Sequence, residues 1–306
     1  MLGSSEAKHC PPWGRKEAPT MLKHRMLSSR LLQGGMLLPL VLLVGSTTCA
    51  SQGVTDSGPV KIVLVGDSTT AQMTGWGGAF CDAYVSGMVA CLPMGRGGRS
   101  TKTYRAEGSW QLVLNELKTP GYKARYVLIE MGHNDKNADP AIGTRLGDEF
   151  PANLARFVTE ARATGAIPLL VTPLSARHFA NGQLDDTIRP WADQVRDVAA
   201  KMHTPVIDLN EASEALYGKM GAAGAMAFES HPVTAAEQQA AARGTTLPGR
   251  IAKGVPVSAA VPAGDPRRSY QADYIHLNAK GAYVIAGLVA DGLRKAEPSL
   301  GGLVKG

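Results

Sequence analysis

The feature that most constrains the fold is the alternation, from residue 60 onward, of short β-branched apolar runs with longer amphipathic stretches. The apolar runs are KIVLVG (61–66), VACLPM (89–94), RYVLIEMG (125–132), AIPLLVTP (166–173) and TPVIDL (204–209). Helical patterns cover 76–88, 109–118, 149–164, 189–202 and 279–295. Strands that alternate with helices predict a parallel sheet covered on both faces. We therefore expect five parallel strands in a three-layer α/β/α sandwich of the flavodoxin-like type.

The first fifty residues differ in composition from the rest. Lys23, Arg25 and Arg30 precede an apolar run over 36–44, and the small residues GSTTCAS follow it. This order is typical of a secretory signal peptide. Because the run is much shorter than the ~20 residues of a membrane span, we expect cleavage after Ala50 and export to the periplasm or the medium.

Two alternatives remain open within this leader. Cys49 lies where a lipoprotein cysteine would, although the residues before it fit the lipidation pattern poorly. The signal is complete from Met21 or Met26, so a start at either residue would leave residues 1–20 untranslated. The mature part, residues 51–306, is expected to be a single domain.

The charge distribution disfavours a nucleic-acid partner. The chain carries 32 Lys/Arg and 26 Asp/Glu, a formal charge of +6. Six of the basic and two of the acidic residues lie in the first fifty, so the mature part keeps only +2. The basic balance therefore belongs largely to the leader.

Between residues 211 and 268 the periodicity fades, and Ala, Gly, Pro and Gln dominate. Loops longer than about 15 residues are uncommon in compact domains and are usually functional or mobile. We expect a long insertion here, which is either a lid beside the functional site or a surface insertion.

Two cysteines, Cys81 and Cys91, remain in the mature part. In an oxidising compartment they can form a disulfide between a helix and the strand that follows it. Two buried free thiols explain them equally well.

The first strand is followed by GDSTTAQ, which places Ser68 at its carboxyl end. In open α/β sheets, ligands bind at that edge. The N–H groups of a helix start could stabilise an oxyanion beside this serine. The alternative is that Asp67, Ser68 or Thr69 only caps the following helix.

Near the other end, ADYIHLNAKGA places Asp273 three residues before His276 and directly ahead of the last helix. A serine nucleophile needs an imidazole to accept its proton and a carboxylate to orient that imidazole. The alternative is a surface loop whose aspartate caps the helix.

Two further segments, GRGGRST and GHND, follow the second and third strands. The N–H of Gly98 and the side-chain amide of Asn134 could join the N–H of Ser68 as an oxyanion hole, in which one donor is typically worth about 3 kcal/mol. GRGGRST lacks the lysine and the spacing of a phosphate loop, and GWGG is no dinucleotide fingerprint.

The segments GDST, GGRS, GHND and DYIHLN, in this order, resemble those of the SGNH (GDSL-type) hydrolase superfamily, and most closely its rhamnogalacturonan acetylesterases. The resemblance runs from about Lys61 to Leu293. It implies an esterase with Ser68 as nucleophile, His276 as base and Asp273 as its orienting acid. ADYIHLN departs from the D-x-T-H form of the pectin-acting enzymes, which bears on the substrate.

The expected substrate is an acetylated polysaccharide or oligosaccharide, with pectin or xylan as the leading candidates. Candidates for its binding wall are Trp76, Arg99, Tyr104 and His178. We expect no metal and no cofactor, because the other histidines, His133, His178, His203 and His231, form no ligand-like cluster in the sequence. We further expect no membrane insertion after signal cleavage, and a monomer.

Three other functions compete with this hypothesis. The nearest is a general short-chain carboxylesterase or lipase-like enzyme. The same site could instead transfer an acetyl group to or from a cell-envelope polysaccharide. The third is an inert carbohydrate-binding module, which the presence of a competent residue at all five catalytic positions disfavours.

Overall fold

The centre of the molecule is a five-stranded, all-parallel sheet. The computed structural model describes residues 58–247 and 273–306, so the expectations for residues 1–50 lie outside the described residues. The strands of the sheet are β1 (Val60–Gly66), β2 (Val89–Pro93), β3 (Ala124–Glu130), β4 (Ile167–Val171) and β7 (Val206–Ile207). Their order is β2-β1-β3-β4-β7. The predicted sandwich is confirmed, with the short hairpin of β5 (Phe179–Ala180) and β6 (Gln183–Leu184) outside the sheet.

Helices connect these strands. They are α1 (Gly77–Ala79), which continues as a π-helical turn (Phe80–Tyr84), α2 (Thr101–Ala106), α3 (Ser109–Leu117), α4 (Glu149–Ala163), α5 (Arg189–Lys201), α6 (Leu209–Ala225), α7 (Ala235–Ala242) and α8 (Ala279–Ala296). Single 3₁₀ turns lie at Met226–Phe228 and Pro298–Leu300.

The core lies on both faces of the sheet, which explains why the strands read as continuous apolar runs. All of β1 is buried, and successive strand side chains point to opposite faces. Ile62 and Leu64 join the apolar cluster that includes α6 and α8. Val63 and Val65 join the cluster that includes α3, α4 and α5. The two clusters fix the orientation of β1, and so of the residues that follow it.

The structure joins Cys81 and Cys91 in a disulfide, with Cα atoms 5.4 Å apart. The bridge connects the π-helical turn to β2. The sequence leaves open whether these two cysteines are paired or free, and in the structure they are paired.

The segment after residue 211 differs from the expected irregular insertion. Most of residues 209–242 is helical, in α6 and α7. Asp208 caps α6, and Thr234 and Glu237 form a capping box on α7. Ala-rich helices with a weak apolar stripe carry little periodic signal, which is why the pattern missed them. The rest of the expected insertion, 248–268, lies outside the described residues.

Among the residues that the structure describes, no helix combines the length and the apolar character that a membrane span requires.

Candidate active site

Ser68 lies directly after β1, in a turn that we call the nucleophile turn (residues 67–76). The serine is 5% exposed. The Asp67 carboxylate accepts hydrogen bonds from the Thr69 N–H and hydroxyl, both at 2.9 Å. The structure corrects the expected helix start, because α1 begins only at Gly77. Asp67 therefore organises a turn and does not cap a helix behind Ser68.

A buried carboxylate, Glu130 at the end of β3, anchors this turn. It accepts hydrogen bonds from Thr70 Oγ1, Trp76 Nε1 (2.8 Å) and Leu174 N (2.9 Å). It also lies 2.9 Å from Thr69 Oγ1, whose one proton is shared between Glu130 and Asp67. Burial and the neighbouring charge of Asp67 raise the pKa of Glu130 to about 7, although these donors oppose the shift. Glu130 thus joins the turn to the carboxyl ends of β3 and β4.

Trp76, expected on the substrate wall, is fully buried and donates to Glu130. The structure corrects that expectation, because a ring with no exposed face cannot stack on a sugar. The GWG segment packs the turn: a Cβ on Gly75 would lie 1.9 Å from the Thr69 carbonyl oxygen. Only glycine permits this approach.

Asp273 and His276 form a hydrogen-bonded pair in the segment 273–278, which we call the base loop. Asp273 Oδ2 contacts His276 Nδ1. Asp273 Oδ1 accepts from the backbone N–H groups of Ile275 and His276, both at 3.0 Å. Burial alone would raise the pKa of Asp273, but His276 and these N–H groups lower it to about 2. The carboxylate is therefore ionised at neutral pH and fixes the imidazole.

Thr74 joins the nucleophile turn to the base loop. Its hydroxyl donates to the Ser68 carbonyl at 2.8 Å. Its own carbonyl accepts from Leu277 N–H at 3.1 Å. One residue thus contacts both the nucleophile and the residue next to the base, which sets the two segments side by side.

The two expected oxyanion donors lie in loops after β2 and β3, the strands that flank β1. Gly98 is exposed, with φ +78°, and Asn134 is partly exposed. Buried Asp135 ties these loops together, accepting from Thr101 N–H (3.1 Å), Thr101 Oγ1 (2.6 Å) and Thr144 Oγ1 (2.9 Å). Burial raises the pKa of Asp135 to about 6 despite these donors. GRST and GHND therefore meet through an aspartate that sequence analysis did not single out.

Two of the remaining wall candidates are in or beside the loop after β2. Tyr104 is fully buried and donates to the Met94 carbonyl at 2.6 Å, so the structure corrects its expected role too. Arg99 is 38% exposed; it donates to Glu107 and to the Gly97 carbonyl, both at 2.8 Å. Arg99 thus remains available at the rim beside Gly98.

His178 is partly exposed and meets the buried Tyr274 of the base loop edge to face, with ring centroids 5.1 Å apart. Burial lowers its pKa, as does the charge of Lys136. A neutral imidazole beside the Asp273–His276 pair is therefore expected near pH 7.

Three buried charged residues that contact these segments escaped the sequence analysis: Glu130, Asp135 and Arg177. A signal existed for Glu130, which interrupts the apolar run of β3, and for Asp135, which lies within GHND. Within residues 58–247 and 273–306, no group of three or more His, Cys, Asp or Glu side chains is placed to hold a metal ion.

A parallel sheet with a serine after its first strand and an Asp–His pair before its last helix defines a serine hydrolase class. Residues 64–239 match the GDSL-like lipase/acylhydrolase family. The chain belongs to this family, within the SGNH superfamily, and it is a carboxylic ester hydrolase.

Two curated relatives come from Bacillus subtilis (strain 168). The chain is 32% identical to rhamnogalacturonan acetylesterase RhgT over 171 residues, which cover 53% of this chain and 70% of RhgT. It is 29% identical to the probable rhamnogalacturonan acetylesterase YesY over 167 residues, which cover 52% of this chain and 75% of YesY.

Among solved structures, the protein YxiM from Bacillus subtilis superposes with a TM-score of 0.55 at 20% identity. The match covers 78% of this chain and 56% of YxiM. It supports the fold alone.

Proposed function

We propose that this chain is a serine esterase that removes O-acetyl groups from a polysaccharide. The observation that carries the proposal is the Asp273–His276 hydrogen bond, held beside Ser68 by Thr74. The names of RhgT and YesY as rhamnogalacturonan acetylesterases support the acetyl group and the polymer.

In the proposed mechanism, the Ser68 hydroxyl attacks the acetyl carbonyl carbon while His276 accepts its proton. The ionised Asp273 stabilises the imidazolium that forms. The backbone N–H groups of Ser68 and Gly98 and the side-chain amide of Asn134 stabilise the oxyanion. His276 then returns the proton to the sugar oxygen as it leaves.

The second half of the cycle repeats these roles with water. His276 removes a proton from water, whose oxygen attacks the acetyl-Ser68 carbonyl. The second tetrahedral intermediate collapses to acetic acid while the His276 imidazolium returns its proton to the Ser68 oxygen, which restores the hydroxyl and the neutral imidazole. The chain's own side chains supply every proton transfer in this sequence.

The charge at the rim of the site favours a uronate-bearing polymer such as pectin over xylan. Arg96 and Arg99 are 49% and 38% exposed and share a single carboxylate, Glu107. An excess positive charge therefore remains next to Gly98, where it can attract the carboxylates of galacturonate residues.

The test is acetate release from acetylated pectin, acetylated xylan and an aryl acetate, with EDTA present. The matched variants are Ser68→Ala and Ser86→Ala; Ser86 precedes β2, at the opposite edge of the sheet. We expect Ser68→Ala to lose at least about 10⁴-fold in kcat, Ser86→Ala to match wild type, and pectin to exceed xylan.

Other outcomes would replace the proposal. Faster hydrolysis of long-chain than of acetyl esters would indicate a general carboxylesterase. Acetyl groups that appear on an added sugar, in place of free acetate, would indicate a transferase. Polysaccharide binding without turnover in wild type would leave a binding module.

We also infer export of the mature chain. The basic and apolar order of residues 23–44 supports it, as does the Cys81–Cys91 bridge, since disulfides persist in oxidising compartments. Amino-terminal sequencing of the mature protein distinguishes cleavage before Ser51 from lipidation at Cys49.

A further inference from the structure

A buried arginine, Arg177, holds the backbone of the base loop. It lies in the loop that follows β4, and its side chain is 0% exposed. Its backbone N–H donates to the Tyr274 carbonyl at 2.8 Å. Its guanidinium donates to the Ile275 carbonyl at 3.2 Å and to the His276 carbonyl at 2.8 Å. A single residue thus binds three consecutive carbonyls, the last of them that of the proposed base.

These contacts hold Tyr274 in a backbone conformation that its bulky side chain disfavours. Tyr274 has φ +57°, in the left-handed region that bulky residues rarely adopt. Such a conformation is strained and persists only where its surroundings impose it. The Arg177 hydrogen bonds to the Tyr274 carbonyl and to the two carbonyls that follow it are such surroundings.

Both polar groups of the His276 backbone are held by charged side chains. Its N–H donates to Asp273 and its carbonyl accepts from Arg177. These two hydrogen bonds fix the His276 backbone. They therefore fix the direction of its Cα–Cβ bond independently of the contact between its ring and Asp273. An arginine suits this task because its planar fork carries several donors in a rigid arrangement, which a lysine lacks.

The charge of Arg177 is balanced inside the protein. Glu229 Oε2 lies 3.3 Å from Nη2 with both side chains fully buried, and the guanidinium lies 5.9 Å from the centre of the Tyr217 ring. Burial alone would lower the pKa of Arg177, but Glu229, Tyr217 and Asp273 raise it. Arg177 therefore carries its positive charge at neutral pH.

We propose that Arg177 is a positioning residue for catalysis, which clamps the base loop so that His276 stays aligned with Ser68. The proposal rests on the proposed roles of Ser68 and His276. Misplacing a catalytic group by about 1 Å can cost about 100-fold in rate, so the effect is expected in kcat, with KM little changed.

The experiment compares Arg177→Met and Arg177→Lys with Arg196→Met, on an aryl acetate. Arg196 is the control, because it is also an arginine in an ion pair, with Asp208, although it is 26% exposed and lies on a helix outside the site. We expect Arg177→Met to lower kcat about 100-fold with KM within threefold of wild type. Arg177→Lys should recover part of the loss, and Arg196→Met should stay within threefold of wild type.

A second readout needs no substrate. The Nδ1 proton between Asp273 and His276 should give a downfield proton NMR signal in wild type and Arg196→Met. We expect this signal to broaden or shift in both Arg177 variants. If Arg177→Met fails to fold, Arg177→Lys is judged on the same two readouts.

An unchanged signal together with a kcat loss no larger than that of Arg196→Met would overturn the proposal. If wild type hydrolyses no ester, the proposed function fails. The NMR comparison still decides whether Arg177 holds the base loop.

Discussion

The nucleophile turn and the base loop are held in place by side chains of opposite kinds, a buried carboxyl group and a buried guanidinium. The Glu130 carboxyl group gathers polar groups around the nucleophile turn: two threonine hydroxyls, an indole N–H and a backbone N–H. The cation Arg177 gathers the carbonyls of the base loop. The first set of contacts shapes the turn that carries Ser68, and the second shapes the loop that carries His276.

The two segments also differ in how they are attached to the sheet. The nucleophile turn continues directly from β1, the fully buried strand with a partner on each side. The base loop is held by hydrogen bonds and by the start of α8. Asn278 caps this helix, its side chain accepting a hydrogen bond from Gly281 N–H at 2.9 Å. We therefore expect the alignment of His276 to depend more on individual side chains than that of Ser68 does.

The largest effect is expected from Asp273→Asn, which tests the base loop. The amide keeps the shape of the carboxylate but favours the wrong imidazole tautomer and cannot stabilise the imidazolium, so kcat should fall about 10⁴-fold. Steady-state kinetics on an aryl acetate measure this. Asp291→Asn, on the exposed side of α8, is the matched control and should behave like wild type. A loss below tenfold would mean that His276 does not act through Asp273.

An intermediate effect is expected from Glu130→Gln, which tests the nucleophile turn. An amide NH₂ would face donors that now meet a carboxylate oxygen, so the turn should loosen and kcat should fall about 10- to 100-fold. The folded-state pKa of Glu130, about 7, lies above its ordinary value near 4. Folded wild type therefore keeps a proton in that window that the unfolded chain loses, and its free energy of unfolding should fall as pH rises from 5 to 8.

The measurement is urea unfolding of both proteins at pH 5 and pH 8. Glu130→Gln lacks this titration but keeps all others, including that of Asp135. The amount by which its free energy of unfolding lies below that of wild type should therefore become smaller toward pH 8. If this difference in free energy of unfolding is constant or grows with pH, Glu130 is ionised throughout and its anchoring role needs no proton.

The sequence predicts the five strands because each is an apolar run buried on both faces, a local property. It also predicts Ser68, Asp273 and His276, because a nucleophile, a base and an acid must each be a specific residue type near a strand end or a helix start. The helices α6 and α7 were not predicted because their many Ala and Gly residues leave only a weak apolar stripe.

The supporting residues could not be predicted in the same way. Arg177 meets carbonyls 98 and 99 positions away, and Glu130 meets hydroxyls about 60 positions away. No local pattern records such pairs. Trp76 and Tyr104 were wrongly predicted to line the substrate wall because they lie near catalytic motifs in the sequence. Their burial depends on packing against elements that are distant in the sequence.

The smallest effect is expected from Thr74→Val, which tests the connection between the two segments. Valine keeps the branched shape of threonine but removes the hydroxyl that binds the Ser68 carbonyl, while the backbone bond from Leu277 N–H to residue 74 persists. An unsatisfied buried carbonyl costs about 1–3 kcal/mol, so we expect a lower unfolding midpoint in urea and a kcat reduced about three- to tenfold. Thr159→Val is the matched control, since that hydroxyl donates to the Ala155 carbonyl of its own exposed helix face. If Thr74→Val loses stability but keeps full kcat, the base loop finds Ser68 without this hydroxyl, and Arg177 with the start of α8 is sufficient to align it. If the fall in kcat, expressed as a free energy, exceeds the fall in the free energy of unfolding, Thr74 sets the spacing between nucleophile and base.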